Sequence, residues 1–159
     1  MVKNLQLEDR LRVRNLAEFR YQLRRFLHFS EKCAEGAGLQ PQQHQLLLQI
    51  AGASEGVETT VTYAAERLGL RHHTVVELSK RCEEAGLVDR IPDRNDRRRI
   101  QLKVTDKGYR ILRALSEDHA RELDELAPRL IQVLSLICGP ARRNTRVANS
   151  AAANRAAGR

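Results

Sequence analysis

Apolar positions along the first quarter of the chain recur with a helical period. From Leu11 to about Ala37, Leu16, Phe19, Leu23, Phe26, Leu27, Ser30 and Ala34 share one face at about 100° per residue. Leu11, Tyr21 and Phe29 lie roughly opposite that stripe. A helix that is apolar on two faces is buried from two sides. So short a chain leaves little protein for the second face, and the pattern therefore predicts a partner chain. Leu39 to about Thr105 is more densely punctuated. Pro41 starts a short helix that ends at Gly52, with Leu46, Leu47 and Ile50 turned inward. "VETTV" is a brief β-prone piece, and Thr62 is placed to cap a two-turn helix, "YAAERLGL", closed by Gly69. In "RHHTVVELSKRCEEAGL", Val75, Leu78, Cys82 and Ala85 form one apolar stripe, with His73, Glu77, Lys80, Arg81 and Glu84 on the other side.

Two short helices joined by "GLR", the second amphipathic with a basic outer face, make a helix-turn-helix pattern. "LVDRI" and "RIQLKV" then read as short alternating strands around "PDRNDRR", where Pro92, Asp93, Asn95 and Asp96 are turn-forming residues. A hairpin directly after a recognition-type helix is the wing of a winged helix, and it displays its arginines at a tip. Beyond it, Thr105 is a plausible N-cap for a long helix with Ile111, Leu112, Leu115, Leu123 and Leu126 on its apolar side. Pro128 is expected to start a separate shorter helix, with Leu130, Val133, Leu134 and Ile137 inward, that stops at Gly139. The fold class expected is mainly α (α+β). It comprises an N-terminal dimerisation helix over 1–38, a winged helix-turn-helix over 39–105, C-terminal dimerisation helices over 106–139, and a basic tail over 140–159.

Charge sharpens this picture. Lys and Arg number 28 against 20 Asp and Glu, a net charge of +8, which points to polyanions and first to nucleic acid. The segment after Pro140 holds five arginines, no acid and no apolar period, and reads as a disordered extension. No stretch approaches a spanning helix, and the charged N-terminus is no signal peptide, so the chain is expected to be cytoplasmic with no membrane partner. Cys33, Cys82 and Cys138 lack paired metal spacing and read as reduced thiols, Cys82 as a small core residue. His72 and His73 are adjacent in a helix, so their side chains diverge by about 100° and favour DNA contact over metal. His119 reads as a hydrogen-bonded interface histidine. No metal or cofactor is expected.

"LQPQQHQLLLQIAG", "YAAERLGLRHHTVVELSKRCEEAGLVDR" and "IPDRNDRRRIQLKVTDKG", in this order and spacing, resemble the multiple antibiotic resistance regulator (MarR) family of bacterial transcription factors. The resemblance covers about Leu39 to Tyr109. It implies a homodimer with two winged helix-turn-helix lobes and a regulatory cleft. The dimerisation surface falls on Leu16, Phe19, Leu23, Leu126, Leu130, Val133 and Ile137. The double-stranded DNA partner is an inverted-repeat operator, and a small apolar or phenolic effector is expected to release it. Carried over by position, Arg71, His72, His73, Thr74 and Val76 meet base edges or backbone, with Lys80 and Arg81 nearer phosphates. Arg98 matches the wing arginine that enters the minor groove and Asp96 the acid that orients it, while Arg94 and Arg97 become phosphate contacts. Arg71 stands where the family usually has Ser or Thr, which puts that helix cap in doubt, and the role of outward-facing Glu77 stays open. Some members sense peroxide through a cysteine. Cys33 is the better candidate here, but its position differs from theirs and no resolving partner is evident.

The leading function is thus a sequence-specific repressor. The alternatives are a ligand-independent architectural or protein-interaction module, or an enzyme such as a nuclease. The enzyme would need clustered carboxylates or a nucleophile beside a base, and the acids here lie on helix exteriors or beside arginines.

Overall fold

The computed structural model describes residues 2–93, 96 and 99–139, with side chains from Gln6 onward. The element order is α1 (Val2–Gly36), α2 (Pro41–Ala51), α3 (Val61–Leu68), α4 (His72–Glu84), β1 (Val88–Pro92), β2 (Ile100–Val104) and α5 (Asp106–Cys138). This is the mainly helical winged-helix architecture that the patterning implies. The described residues divide into two compact units, one of residues 25–125 and one of residues 2–24 with 126–139. The basic tail expected over 140–159 lies outside the described residues, as do Arg94, Asn95, Arg97 and Arg98 of the hairpin tip.

In the unit Arg25–Glu125, the apolar stripes meet in one core. Leu46, Leu47, Val75, Leu78, Cys82 and Leu102 are fully buried, joined by Ala34 from α1 and by Leu112 and Leu115 from α5. Capping chemistry sets the element ends. Pro41 opens α2, and the Gln40 backbone N–H donates to Gln43 Oε1 at 2.9 Å. Gly69 closes α3 in the left-handed conformation, φ 63°, which a side chain resists. Thr105 Oγ1 accepts from the Gly108 N–H at 3.1 Å and caps α5, as its position implies. The same hydroxyl donates to the Gly86 carbonyl at 2.8 Å, tying the turn before β1 to the start of α5.

Several expectations about element bounds and caps are corrected. The first helix begins at Val2, well before Leu11, since no Pro or Gly interrupts residues 2–35. The α3 cap is Thr60 rather than Thr62: its side chain accepts from the Tyr63 N–H at 3.1 Å. "VETTV" forms no strand of its own. Thr60 makes an isolated bridge to Gln101, and Thr59 exchanges hydrogen bonds with Leu102 through its carbonyl (2.7 Å) and its hydroxyl (2.6 Å). Pro92 belongs to β1, paired with Ile100 at its end, instead of to the turn. Pro128 breaks nothing, because α5 runs continuously from Asp106 to Cys138 through it. A proline inside a helix removes one hydrogen bond, and 33 residues of otherwise good helical pattern outweigh that loss.

The other unit is held by Leu126 and Val133, by nearly buried Gln22, and by Glu18. Glu18 accepts from Gln22 Nε2 at 2.8 Å and from Arg129 Nε at 3.0 Å. Both bonds hold its carboxyl below the usual carboxylate range, the Gln22 bond most strongly. A cleft of about 960 Å³ opens here among Leu11, Asn15, Glu18, Arg129, Val133 and Leu136. Leu134 and Ile137, expected inward, are exposed, as are Ile131 and Leu136. Within the single chain this stretch of α5 has cover on one side only.

Candidate nucleic-acid interface

The local sequence builds a rigid display. Thr60 starts α3, Gly69 ends it, and Leu70 and Arg71 turn the chain into α4. Val75, Leu78 and Cys82 seal the inner face of α4, and burial pushes the Cys82 thiol up to about 11, as befits a core residue. Ser79 is also fully buried, its hydroxyl spent on the Val76 carbonyl at 2.8 Å, a placement the apolar stripe did not reveal. The opposite side of α4 stays in solvent.

Of the residues expected to touch DNA, Arg71, His72, His73, Lys80 and Arg81 are exposed on this one element, with Thr74 half-buried beside them. Val76 is half-buried and packs against the core cluster, so only part of it is left to face a ligand. Arg71 occupies the α4 N-cap position without a side-chain cap bond, which bears out the doubt raised by its departure from Ser or Thr. Lys80 Nζ is 2.8 Å from Glu77 Oε1, and this bond holds the Glu77 carboxyl below the usual range. Arg81 donates to Gln40 Oε1 at 3.4 Å. Pairs this exposed are screened by solvent and weak, so a phosphate can displace them at little cost.

The hairpin follows directly. β1 and β2 pair antiparallel from Val88–Val104 to Pro92–Ile100. At the tip, the Asp96 N–H donates to Asp93 Oδ1 at 3.1 Å, and the Arg99 N–H donates to the Asp96 carbonyl at 2.8 Å. Asp93 thus shapes the turn through its carboxylate and Asp96 through its backbone. The Asp96–Arg98 pairing, with Arg94 and Arg97, falls outside the described residues.

Three pairings escape sequence reasoning. Arg99 binds Glu58, which anchors the hairpin to the segment before α3. Arg90 of β1 lies 3.6 Å from Glu83 of α4, with its Nε buried and unpartnered among the described residues. His44, the third, is nearly buried and stacks at a tilt on His119, ring centroids 5.1 Å apart. Its pKa is lowered by burial and then by His119. The first pair spans 41 residues and leaves no local signal. Glu83 and Arg90 could have been matched by charge across the intervening turn, and His44 by its helical spacing from Leu47.

His119 is hydrogen-bonded as expected, to the Leu115 carbonyl through Nδ1 and to Ser30 Oγ at 2.7 Å through Nε2. A carbonyl only accepts, so in the neutral ring Nδ1 carries the proton and Nε2 accepts from the serine. Burial raises the Cys33 thiol, and Asp118 and Glu122 raise it further, the reverse of what activates a sensor thiolate. Among the described residues, no group of three or more His, Cys, Asp or Glu could hold a metal, and no helix is long and apolar enough to cross a membrane.

Residues 37–99 match the MarR family model. The HTH-type transcriptional regulator PecS of Dickeya dadantii (strain 3937) is 32% identical over 62 residues, which is 38% of this chain. The match spans 37% of that relative's length. Among solved structures, AbsC, a MarR family transcriptional regulator from Streptomyces coelicolor, superposes with a TM-score of 0.61 at 24% identity, covering 79% of this chain and 88% of that one. Reduced AbfR bound to DNA superposes with a TM-score of 0.55 at 25% identity, covering 83% of this chain and 97% of that one. A capped helix-turn-helix with a short wing is thus accounted for: residues 37–99 of the chain match the MarR family model, and its fold is the one seen in solved MarR family regulators.

Proposed function

We propose that this chain is a DNA-binding transcriptional repressor that grips an inverted-repeat operator as a homodimer. In this reading α4 enters the major groove, with His72, His73 and Thr74 toward base edges and Lys80 and Arg81 toward phosphates. The wing reaches the adjacent minor groove through Arg98, aimed by Asp96, while Arg94 and Arg97 hold phosphates. The single observation that carries the reading is α4 itself. Its inner face is sealed into the core, while its outer face presents histidines and cations that are held only by weak, exchangeable surface pairs. Exposed Leu16, Leu23 and Ile137, with half-buried Phe19 and Leu130 beside them, supply the surface for a second copy, while Leu126 and Val133, buried within the chain, support it from beneath. A small apolar or phenolic effector would enter the 140 Å³ cavity bounded by Leu27, Ser30, Pro41 and His44, which adjoins the start of α2.

Fluorescence anisotropy with the DNA upstream of the chain's own gene tests the reading. Saturable binding that outcompetes random duplex supports it, and equal affinity for both turns the protein into an architectural binder. Arg98→Ala should cost about 1–3 kcal/mol on the operator. Asp96→Ala should also weaken binding despite the more favourable charge, and should cost little once Arg98 is gone. Tighter operator binding by Asp96→Ala would leave the wing a plain basic patch.

A further inference from the structure

Glu77 is the anomaly on the exposed face of α4. A surface meant for a polyanion has no electrostatic use for a carboxylate, yet Glu77 stands in the middle of it. It lies one turn after His73 and one turn before Lys80 and Arg81. Its side chain is 64% exposed, and it is hydrogen-bonded to Lys80. The cations around it keep it ionised: the Lys80 bond first, then Arg90 and Arg81 through space. Among the described residues Glu77 makes no core, cap or hairpin contact, so structural need does not explain it.

Base chemistry does. In the major groove a carboxylate accepts hydrogen bonds and donates none. Guanine offers N7 and O6, and thymine O4, all acceptors that repel it. Adenine offers an amino group but sets the N7 acceptor beside it. Cytosine alone presents an amino group with no acceptor on the same base in that groove. We propose that Glu77 is a specificity-determining residue that reads the amino group of a cytosine at one fixed position in each half-site. The inference rests on the regulator reading above. At any other base, Glu77 keeps its charge near a wall of phosphates with no base amino group suited to it, and Lys80 stays partly neutralised by it. At cytosine the carboxylate gains a partner, and Lys80 is released toward a phosphate or guanine. The same acid thereby weakens binding to unrelated DNA.

The test is selection from a random-sequence duplex library by the full chain, by Glu77→Gln and by Glu77→Ala. Circular dichroism melts compare the folding of all three, and the exposure of Glu77 predicts equal melting. The wild type should enrich sites with cytosine at one position per half-site. Glutamine pairs with adenine through N6 and N7, so Glu77→Gln should move that one preference from cytosine to adenine. Glu77→Ala should flatten it, with about tenfold loss of discrimination there. Both variants should bind shuffled duplex more tightly than the wild type. If the wild type enriches a site and Glu77→Gln keeps the same base at every position, the inference is overturned while the regulator reading stands. If the wild type enriches no sequence, both fall.

Discussion

The unit Arg25–Glu125 and the paired terminal stretches treat the same kind of residue in opposite ways. In the first, leucines at 46, 47, 78 and 102 have no more than traces of solvent contact. In the second, Leu11, Leu16, Ile131 and Leu136 stand 47%, 52%, 64% and 61% exposed. Both segments are amphipathic helices with strong periodicity, so composition does not separate them. What differs is closure: α2, α3, α4 and the hairpin surround one another, whereas the ends of α1 and α5 offer a cleft and uncovered apolar side chains. The lobe is a solved packing problem, and the terminal helices are half of one.

Mutations can break that contrast. Leu78→Ala, in the sealed core, should destabilise the protein by about 2–5 kcal/mol in denaturant unfolding. A loss below about 1 kcal/mol would mean that the lobe is loosely packed. Next comes Gly108→Ala. A Cβ there would meet the Leu87 carbonyl oxygen at 2.5 Å and Val104 Cγ1 at 2.7 Å, one of them rigid backbone. Overpacking of this kind costs about 1–3 kcal/mol, and a thermal melt should show it, although alanine ordinarily favours a helix. At the exposed end, Leu136→Asp should change the stability of isolated chains by no more than about 0.5 kcal/mol. It should nevertheless shift the proposed monomer–dimer equilibrium toward monomer in analytical ultracentrifugation. An unchanged equilibrium would place the interface elsewhere.

The smallest effect concerns pH. The lowered pKa of His44 means that, as pH falls below its ordinary 6.5, the unfolded chain takes up a proton that the buried ring resists. Its stabilising contribution is complete above that pH and declines below it. Unfolding midpoints of the wild type should therefore drop on the acid side more steeply than those of His44→Phe. Parallel curves would assign the acid sensitivity to other groups.

Local chemistry was legible in the sequence, and contacts between distant residues were not. Pro41, Gly69 and Thr105 act within one helical turn, and each does what its position implies. The α4 stripe was readable because one face repeats every three to four residues. The choice between Thr60 and Thr62 was not, since both can cap. It is decided by the bridge from Thr60 to Gln101, 41 residues away. Pro128 misled because a general rule for helix interiors was applied to a helix whose surrounding turns sustain it. Gly108 looked like an ordinary early-helix glycine, and only the fold brings a carbonyl of the preceding strand region against it. At the candidate interface the cations were legible individually. Their glutamate partners at 58, 77 and 83 decide how free those charges are, and two of the three come from other elements.

Pro92 carries a consequence of another kind. β2 lies between β1 and the Thr59–Thr60 segment, which leaves β1 as the outer strand of the sheet. An outer strand with free amides is a template on which a neighbouring molecule can stack its own backbone. Proline has no amide hydrogen to offer, and Asp89 and Arg90 set charges along the same short strand. The edge of this short sheet is thereby shielded against chain-to-chain polymerisation. Replacing Pro92 would leave the hairpin's hand and length intact and remove that guard.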